Sequence, residues 1–217
     1  IKAHPDENGT WVVQGDLGIT GAGLKLDKQN NLVEDIASVI KFSQQGFSWK
    51  DTKFKSQGIN YQSNGMLSNF SAPSVKLKLF SHVLSLAADF DLSGKKIKIA
   101  QLKGKYLDSQ FLVSGDVDNS DSANLQVDLR GKINLELSNL SRILEKQYPA
   151  IKSMRPAGQL DAQFNLSGNP SNFKSCYLQA KFAGNNLSLY GLSAQSLSLD
   201  FLQDQKIAKI PVMRIDF

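Results

Sequence analysis

Along residues 159 to 168, QLDAQFNLSG, the apolar Leu160, Ala162, Phe164 and Leu166 alternate with Asp161, Gln163, Asn165 and Ser167. Successive side chains of a strand point to opposite faces of a sheet, so strict alternation predicts a strand with one apolar and one hydrophilic face. The pattern returns in VKLKLF (75–80), LSLAADFDLSG (84–94), LQVDLRGKINLEL (125–137), YLQAKFAG (177–184), NLSLYG (186–191) and SLSLDF (196–201). Clusters of Gly, Asn, Asp and Ser separate the runs, as in SGKK (93–96), GDVDNSDSAN (115–124) and SGNPSN (167–172). Short strands punctuated this way read as a meander.

The chain divides by regularity. Residues 1–74 form a less regular β region, and residues 75–217 a run of amphipathic strands. In the first region WVVQGDLGITGAGLKLD (11–27) predicts short strands with glycines at the turns. LVEDIASVIKF (32–42) fits a short helix through Leu32, Ile36, Val39 and Ile40 and fits a strand nearly as well. In the second, SNLSRILEKQYPAIK (138–152) predicts a helix, centred on 139–148, from the spacing of Leu140, Ile143 and Leu144. Ser138 or Asn139 can cap it and Pro149 discourages its continuation. The fold class expected is therefore mostly β, with one or two short helices.

Composition narrows the function classes. With 41% hydrophobic and 21% charged residues among 217, the chain is too apolar for disorder, and it lacks an apolar run of roughly 18 or more residues that would span a bilayer as a helix. No signal-peptide pattern follows Ile1, and the final IPVMRIDF looks like an interrupted strand, so the chain reads as a piece of a longer protein. A single cysteine, Cys176, excludes an intrachain disulfide and a cysteine-rich zinc site. The net charge of +5 is concentrated in KKIKIAQLKGK (95–105), where lysines interleave with Ile97, Ile99 and Leu102. A solvated outer face is the plain reading, and attraction to anionic headgroups at Lys95, Lys96 and Lys98 the functional one. No aromatic ladder accompanies the lysines, which argues against nucleic acid as a partner.

Catalytic chemistry finds little support. The glycines of GDLGITGAG (15–23) are not followed by the Lys-Ser or Lys-Thr of a phosphate loop. His4 and His82 are the only histidines, too few for a histidine-based metal site or a convincing triad. Asp89, Asp91, Asp116, Asp118 and Asp128 fall on the polar phase of strands or in turns, where solvation is their default. We therefore expect no enzyme, no metal and no cofactor. The Asn-x-Ser/Thr matches at Asn8, Asn69, Asn139, Asn165 and Asn186 are what an Asn- and Ser-rich chain yields by chance.

The apolar phase still needs a cover, since each fully buried large side chain is worth about 1.5 to 3 kcal/mol and soluble proteins rarely expose large apolar patches without a ligand. A second sheet, closure into a barrel, or an apolar ligand in a groove would each serve. The lining is monotonously Leu, Val, Ile and Ala with Phe90, Phe111, Phe164, Phe182 and Phe201, and suits acyl chains as well as a jigsaw core.

Residues 99–144 and 156–201 resemble the AsmA-like superfamily. The matching features are strands ending near Ser114-Gly115 and Ser167-Gly168, an L-x-L strand, a short helix, the G-x-L-x-A-x-F strand at 158–164 and the N-L-S-L-x-G strand at 186–191. The resemblance implies a long, curved, taco-like antiparallel sheet, anchored through the full-length protein in the inner membrane and crossing the periplasm. Its hydrophobic β-groove would conduct phospholipid, or another acyl-chain lipid, toward the outer membrane, with envelope membrane proteins as partners at its two ends. The groove residues so implied are Leu125, Val127, Leu129, Ile133, Leu135, Leu137, Leu160, Ala162, Phe164, Leu166, Leu178, Ala180, Phe182, Leu187, Leu189, Leu197, Leu199 and Phe201. The competing expectation is a closed β-sandwich serving as a structural or assembly module in outer-membrane protein biogenesis. A closed lipid-binding barrel and a lipopolysaccharide-conducting jellyroll are further neighbours of these readings.

Overall fold

A computed structural model describes residues 2–5, 7, 11–25, 32–121, 124–139, 145, 148–204 and 207–217. The chain forms two compact units, Ile1–Ser93 and Gly94–Phe217. The first holds β1 (Lys2–Pro5), β2 (Trp11–Lys25), β3 (Leu32–Ser43), β4 (Gly46–Ser56), β5 (Ile59–Ser68), β6 (Ser74–Phe80) and β7 (Leu84–Ser93). The second holds β8 (Lys96–Tyr106), β9 (Ser109–Asp118), β10 (Gln126–Glu136), β11 (Ala157–Gly168), β12 (Tyr177–Leu189), β13 (Leu192–Asp204) and β14 (Ile207–Asp216). Within each unit every strand runs antiparallel to its chain neighbour, in linear order. Neither unit closes on itself, and among the described residues neither places a second sheet over the first. The sandwich and the barrel are thus not the architecture of either unit.

Regular strands begin well before Val75. The segment at 32–42 is β3, not a helix, and the reason its spacing looked helical is visible in the register. Pairing with β4 shifts between Glu34 and Ala37 and again between Ala37 and Val39, with Asp35 at φ 53°. An extra residue in a bulge breaks the period of two, and the intervals between Ile36, Val39 and Ile40 then imitate a helix. The glycine-rich 15–23 is likewise interior to β2, where register shifts between Ile19 and Leu24 mark bulges in place of the expected turns.

The loops are shorter than the sequence suggests. Residues 115–118 belong to β9, and Gly168 closes β11 before a 3-10 turn at Pro170–Ser175. Cys176 sits in this connection, wholly buried, its thiol donating to the carbonyl of Asn169 at 3.0 Å. The hairpins at Gln57-Gly58 and Tyr190-Gly191 have positive φ at both residues, the two-residue geometry that matches strand twist.

Of the expected helix at 138–152, residues 140–144 and 146–147, with Leu140, Ile143 and Leu144 among them, lie outside the described residues. What is described is helical backbone at 137–139 and a separate short helix, α1 (Ala150–Met154). Pro149 serves as the residue that starts α1 rather than only as a stop. At its far end Tyr190 N–H donates to the Met154 carbonyl at 2.7 Å, tying α1 to the β12–β13 hairpin.

Candidate functional site: the uncovered apolar face

Cross-strand register assembles the predicted groove residues of the second unit into rows. Leu129, Leu166 and Leu178 stand opposite one another across β10, β11 and β12. The next row runs Gly131, Phe164, Ala180, Phe201, and the one beyond it Ile133, Ala162, Phe182, Leu199. Leu135 faces Leu160, which faces Gly184, which faces Leu197. Val127 begins the face at the other end, opposite Gly168. Leu125 precedes β10 and Leu137 follows it, both half-buried at the strand's ends.

Leu187 and Leu189 have the opposite sequence parity to Phe182 and Ala180, which would send them to the hydrophilic side of an unbroken strand. A bulge prevents this for Leu187. Pairing of β12 with β11 shifts opposite Gly158, and Asn186 adopts φ 50°. The Leu187 side chain consequently lies over Gly184, where an added Cβ would come within 2.5 Å of it. Leu189, at the end of the strand, is 43% exposed.

Large and small residues alternate across these rows. A Cβ on Gly131 would come within 2.7 Å of the Phe164 ring, and one on Gly104 would collide with Phe111. The aromatic rings therefore lie down along the sheet across neighbouring glycines. A ring laid flat fills the gap beside it and leaves a low apolar wall, whereas upright rings would demand a facing layer to interlock with.

Among the described residues no such layer covers the wall within the unit. Of the groove residues only Val127, Ala162 and Ala180 are buried, and the two alanines stand opposite phenylalanines on the neighbouring strands. Edge strand β14 is exposed at every position, with Ile210 at 55% and Met213 at 57%.

Apart from Phe111, already counted in the apolar lining, the β8 and β9 part of this face was not among the expected groove residues. Val117, Val113 and Phe111 on β9 pair with Val127, Gly131 and Ile133, and Ile97, Ile99 and Leu102 on β8 extend the same rows. The alternation F-x-V-x-G-x-V at 111–117 carries the signal for β9. On β8 it is hidden by a register shift between Ile99 and Leu102.

The first unit has an apolar face of a different kind. Phe42, Phe47, Leu67, Val75 and Phe90 form one row, and Ile40, Trp49, Gly65, Leu77 and Ala88 the next. Phe47 and Trp49 lie 6.0 Å apart, and a Cβ on Gly65 would strike the Trp49 indole. The following row carries hydroxyls. Ser38 and Thr52 are hydrogen-bonded at 2.5 Å, and Trp49 Nε1 donates to buried Ser63 at 2.9 Å.

The hydrophilic faces carry the charge. Lys96 pairs with Asp118 at 3.0 Å and Lys76 with Asp89 at 3.6 Å. Two hydrogen bonds from Ser120, with Lys96 adding its charge, hold the Asp118 carboxyl at about 2, down from 3.8. Lys95 reaches the Ser120 carbonyl at 3.4 Å, so two of the three lysines singled out for headgroup steering are engaged with the β9–β10 turn. Concavities occur on this side too: about 450 Å³ in the second unit around Arg130, Lys132 and Lys181, and about 540 Å³ in the first around Lys53, Lys55, Gln62 and Phe80. Among the described residues no His/Cys/Asp/Glu cluster could hold a metal ion, and no helix is long and apolar enough to cross a membrane.

Comparison with protein-family models, with curated proteins and with solved structures finds no match to this chain.

Proposed function

We propose that the chain is a non-catalytic lipid-binding segment of an AsmA-like bridge protein, along which acyl chains of phospholipid move between the inner and outer membranes of a cell envelope. The observation that supports this most directly is the open sheet of the second unit, whose continuous apolar rows are covered, among the described residues, by no strand or helix of that unit. Acyl chains lying on Leu129, Leu166 and Leu178 would remove apolar surface from water on both sides of the contact, while headgroups remain hydrated at the margin. Such a surface needs no catalytic residue. It works in the periplasm, with an inner-membrane anchor elsewhere in the full-length protein and membrane proteins receiving lipid at its ends.

A photo-crosslinking amino acid at Leu166 and, separately, at Gln163 of the neighbouring hydrophilic phase tests the reading, with native mass spectrometry of the purified chain. The expected result is co-purifying phospholipid and a lipid adduct from position 166 alone. A chain that carries no lipid, ignores added phospholipid and crosslinks equally from both positions would refute it.

A further inference from the structure

We propose that the cavity on the hydrophilic face of the second unit is a binding site for a soluble, phosphate-bearing polyol. Four strands build it from two register-matched rows. Arg130 stands opposite Asn165, which faces Gln179, and Lys132 stands opposite Gln163, which faces Lys181. Adjacent strands lie about 4.8 Å apart, so Lys132 and Lys181 flank the amides at roughly 10 Å, with Arg130 one row away. These six side chains, all exposed, line an open concavity of about 450 Å³ that Leu112 and Ser114 of β9 complete and that has no carboxylate in its wall.

The cations are available to a ligand. Among the described residues no carboxylate lies within ion-pair distance of Arg130, Lys132 or Lys181, although Lys96 and Lys76 elsewhere on strands do find acids. The neighbouring acids form no ion pair with these cations: Asp128, two residues before Arg130 on β10, and Asp116, opposite Asp128 on β9, stand outside the cavity wall. Asp161 accepts from Asn134 at 2.8 Å, and Asp200, opposite Lys181 on β13, stands outside the cavity wall. Arg130 Nε donates to Ser114 Oγ at 3.2 Å, which fixes one edge of the guanidinium and leaves its terminal nitrogens for a forked grip on two phosphate oxygens. Lysine ammoniums at either side add point charge, and the three amides supply both donors and acceptors, the complement of hydroxyl groups. Inorganic phosphate would occupy a small part of the volume, so the match is to a phosphorylated polyol of sugar size. The cavity opens on the face opposite the apolar rows, out of reach of the headgroup of any chain lying there, which points to a soluble ligand. The assignment stands on this face alone and does not rest on lipid binding.

Isothermal titration calorimetry of the intact chain at low salt tests it, with glucose 6-phosphate, glucose, inorganic phosphate and phosphatidylglycerol vesicles as probes. We expect glucose 6-phosphate to bind more tightly than phosphate and glucose not to bind. Arg130→Gln and Lys181→Gln should each weaken binding about tenfold, while Lys174→Gln in the 3-10 turn leaves it unchanged. Equal loss in all three variants would reduce the effect to diffuse charge and overturn the site. Inorganic phosphate binding as tightly as the sugar phosphate would overturn the polyol, and binding to vesicles alone would overturn the soluble ligand. No heat with any probe, from a chain whose circular dichroism is that of a folded β protein, would overturn the whole proposal.

Discussion

The two apolar faces are built on one plan and finished differently. In the second unit the central rows contain only carbon at their surface: Leu129, Leu166 and Leu178 in one, Phe164, Ala180 and Phe201 in the next. In the first unit the row beyond Trp49 runs through Ser38, Thr52 and Ser63, and its hydroxyls bond to each other and to the indole. An aliphatic row gives a sliding chain no preferred stopping place, since dispersion contacts are non-directional. A hydroxyl row interrupts that surface but satisfies its own polar groups, so it costs little in stability while it anchors the large Trp49 side chain. Under the proposed function, lipid contact falls first to the second unit.

The comparison breaks most directly with a charge. Leu166→Glu is expected to cut lipid carried per chain at least tenfold, about 1.4 kcal/mol, while leaving the fold intact, because the residue is only partly buried. Thr52→Glu, in the hydroxyl row and likewise only partly buried, should change lipid content far less, and native mass spectrometry of both variants reads the contrast. Equal losses would erase the distinction between the faces.

Gly115 has φ 138°, and a Cβ there would run into the Asp128 carbonyl and approach Leu129 Cα to 2.9 Å. Neither neighbour is a side chain that can swing away. Gly115→Ala should therefore destabilise the second unit by about 1 to 3 kcal/mol, seen as an earlier urea transition by circular dichroism. Both tryptophans lie in the first unit, so indole fluorescence reports that unit selectively.

Ser63→Val removes the acceptor of the Trp49 N–H and is expected to cost the first unit about 1 kcal/mol, with a shift in tryptophan emission. It should also raise lipid content slightly, by making the interrupted row aliphatic. Unchanged emission would show that the hydroxyl does not hold the ring.

The smallest effect is titration of Asp118. Its folded value lies near 2 against an ordinary 3.8, so the contribution is fully present above about pH 4 and is lost as pH falls through about 2. Protection of the Ser120 amide, measured by NMR against its intrinsic exchange rate at each pH, should fall over that window. Asp118→Asn should show the low protection at every pH, and protection that ignores both changes would remove the turn from the account.

Most of the second unit was legible because its strands keep period two over long runs, as in 159–166. Legibility failed at the bulges. The bulge at Asp35 left β3 open between helix and strand, and the irregularity between Ile99 and Leu102 hid the edge of the apolar face; Leu187 was expected on that face, but alternation alone does not explain how it gets there. The large cavity at Arg130, Lys132 and Lys181 was not legible either, since it depends on which strands are neighbours and in what register. Alternation shows that Lys132 points away from Ile133, but only pairing brings it within two strands of Lys181.

The bulges have a further consequence. A residue inserted into an unbroken strand would turn every later side chain over, yet at Asn186 the irregular step returns Leu187 to its own side. A meander punctuated in this way tolerates changes of length that leave its surface intact. Comparison of letters position by position loses step at each such place, while the wall presented to a ligand does not.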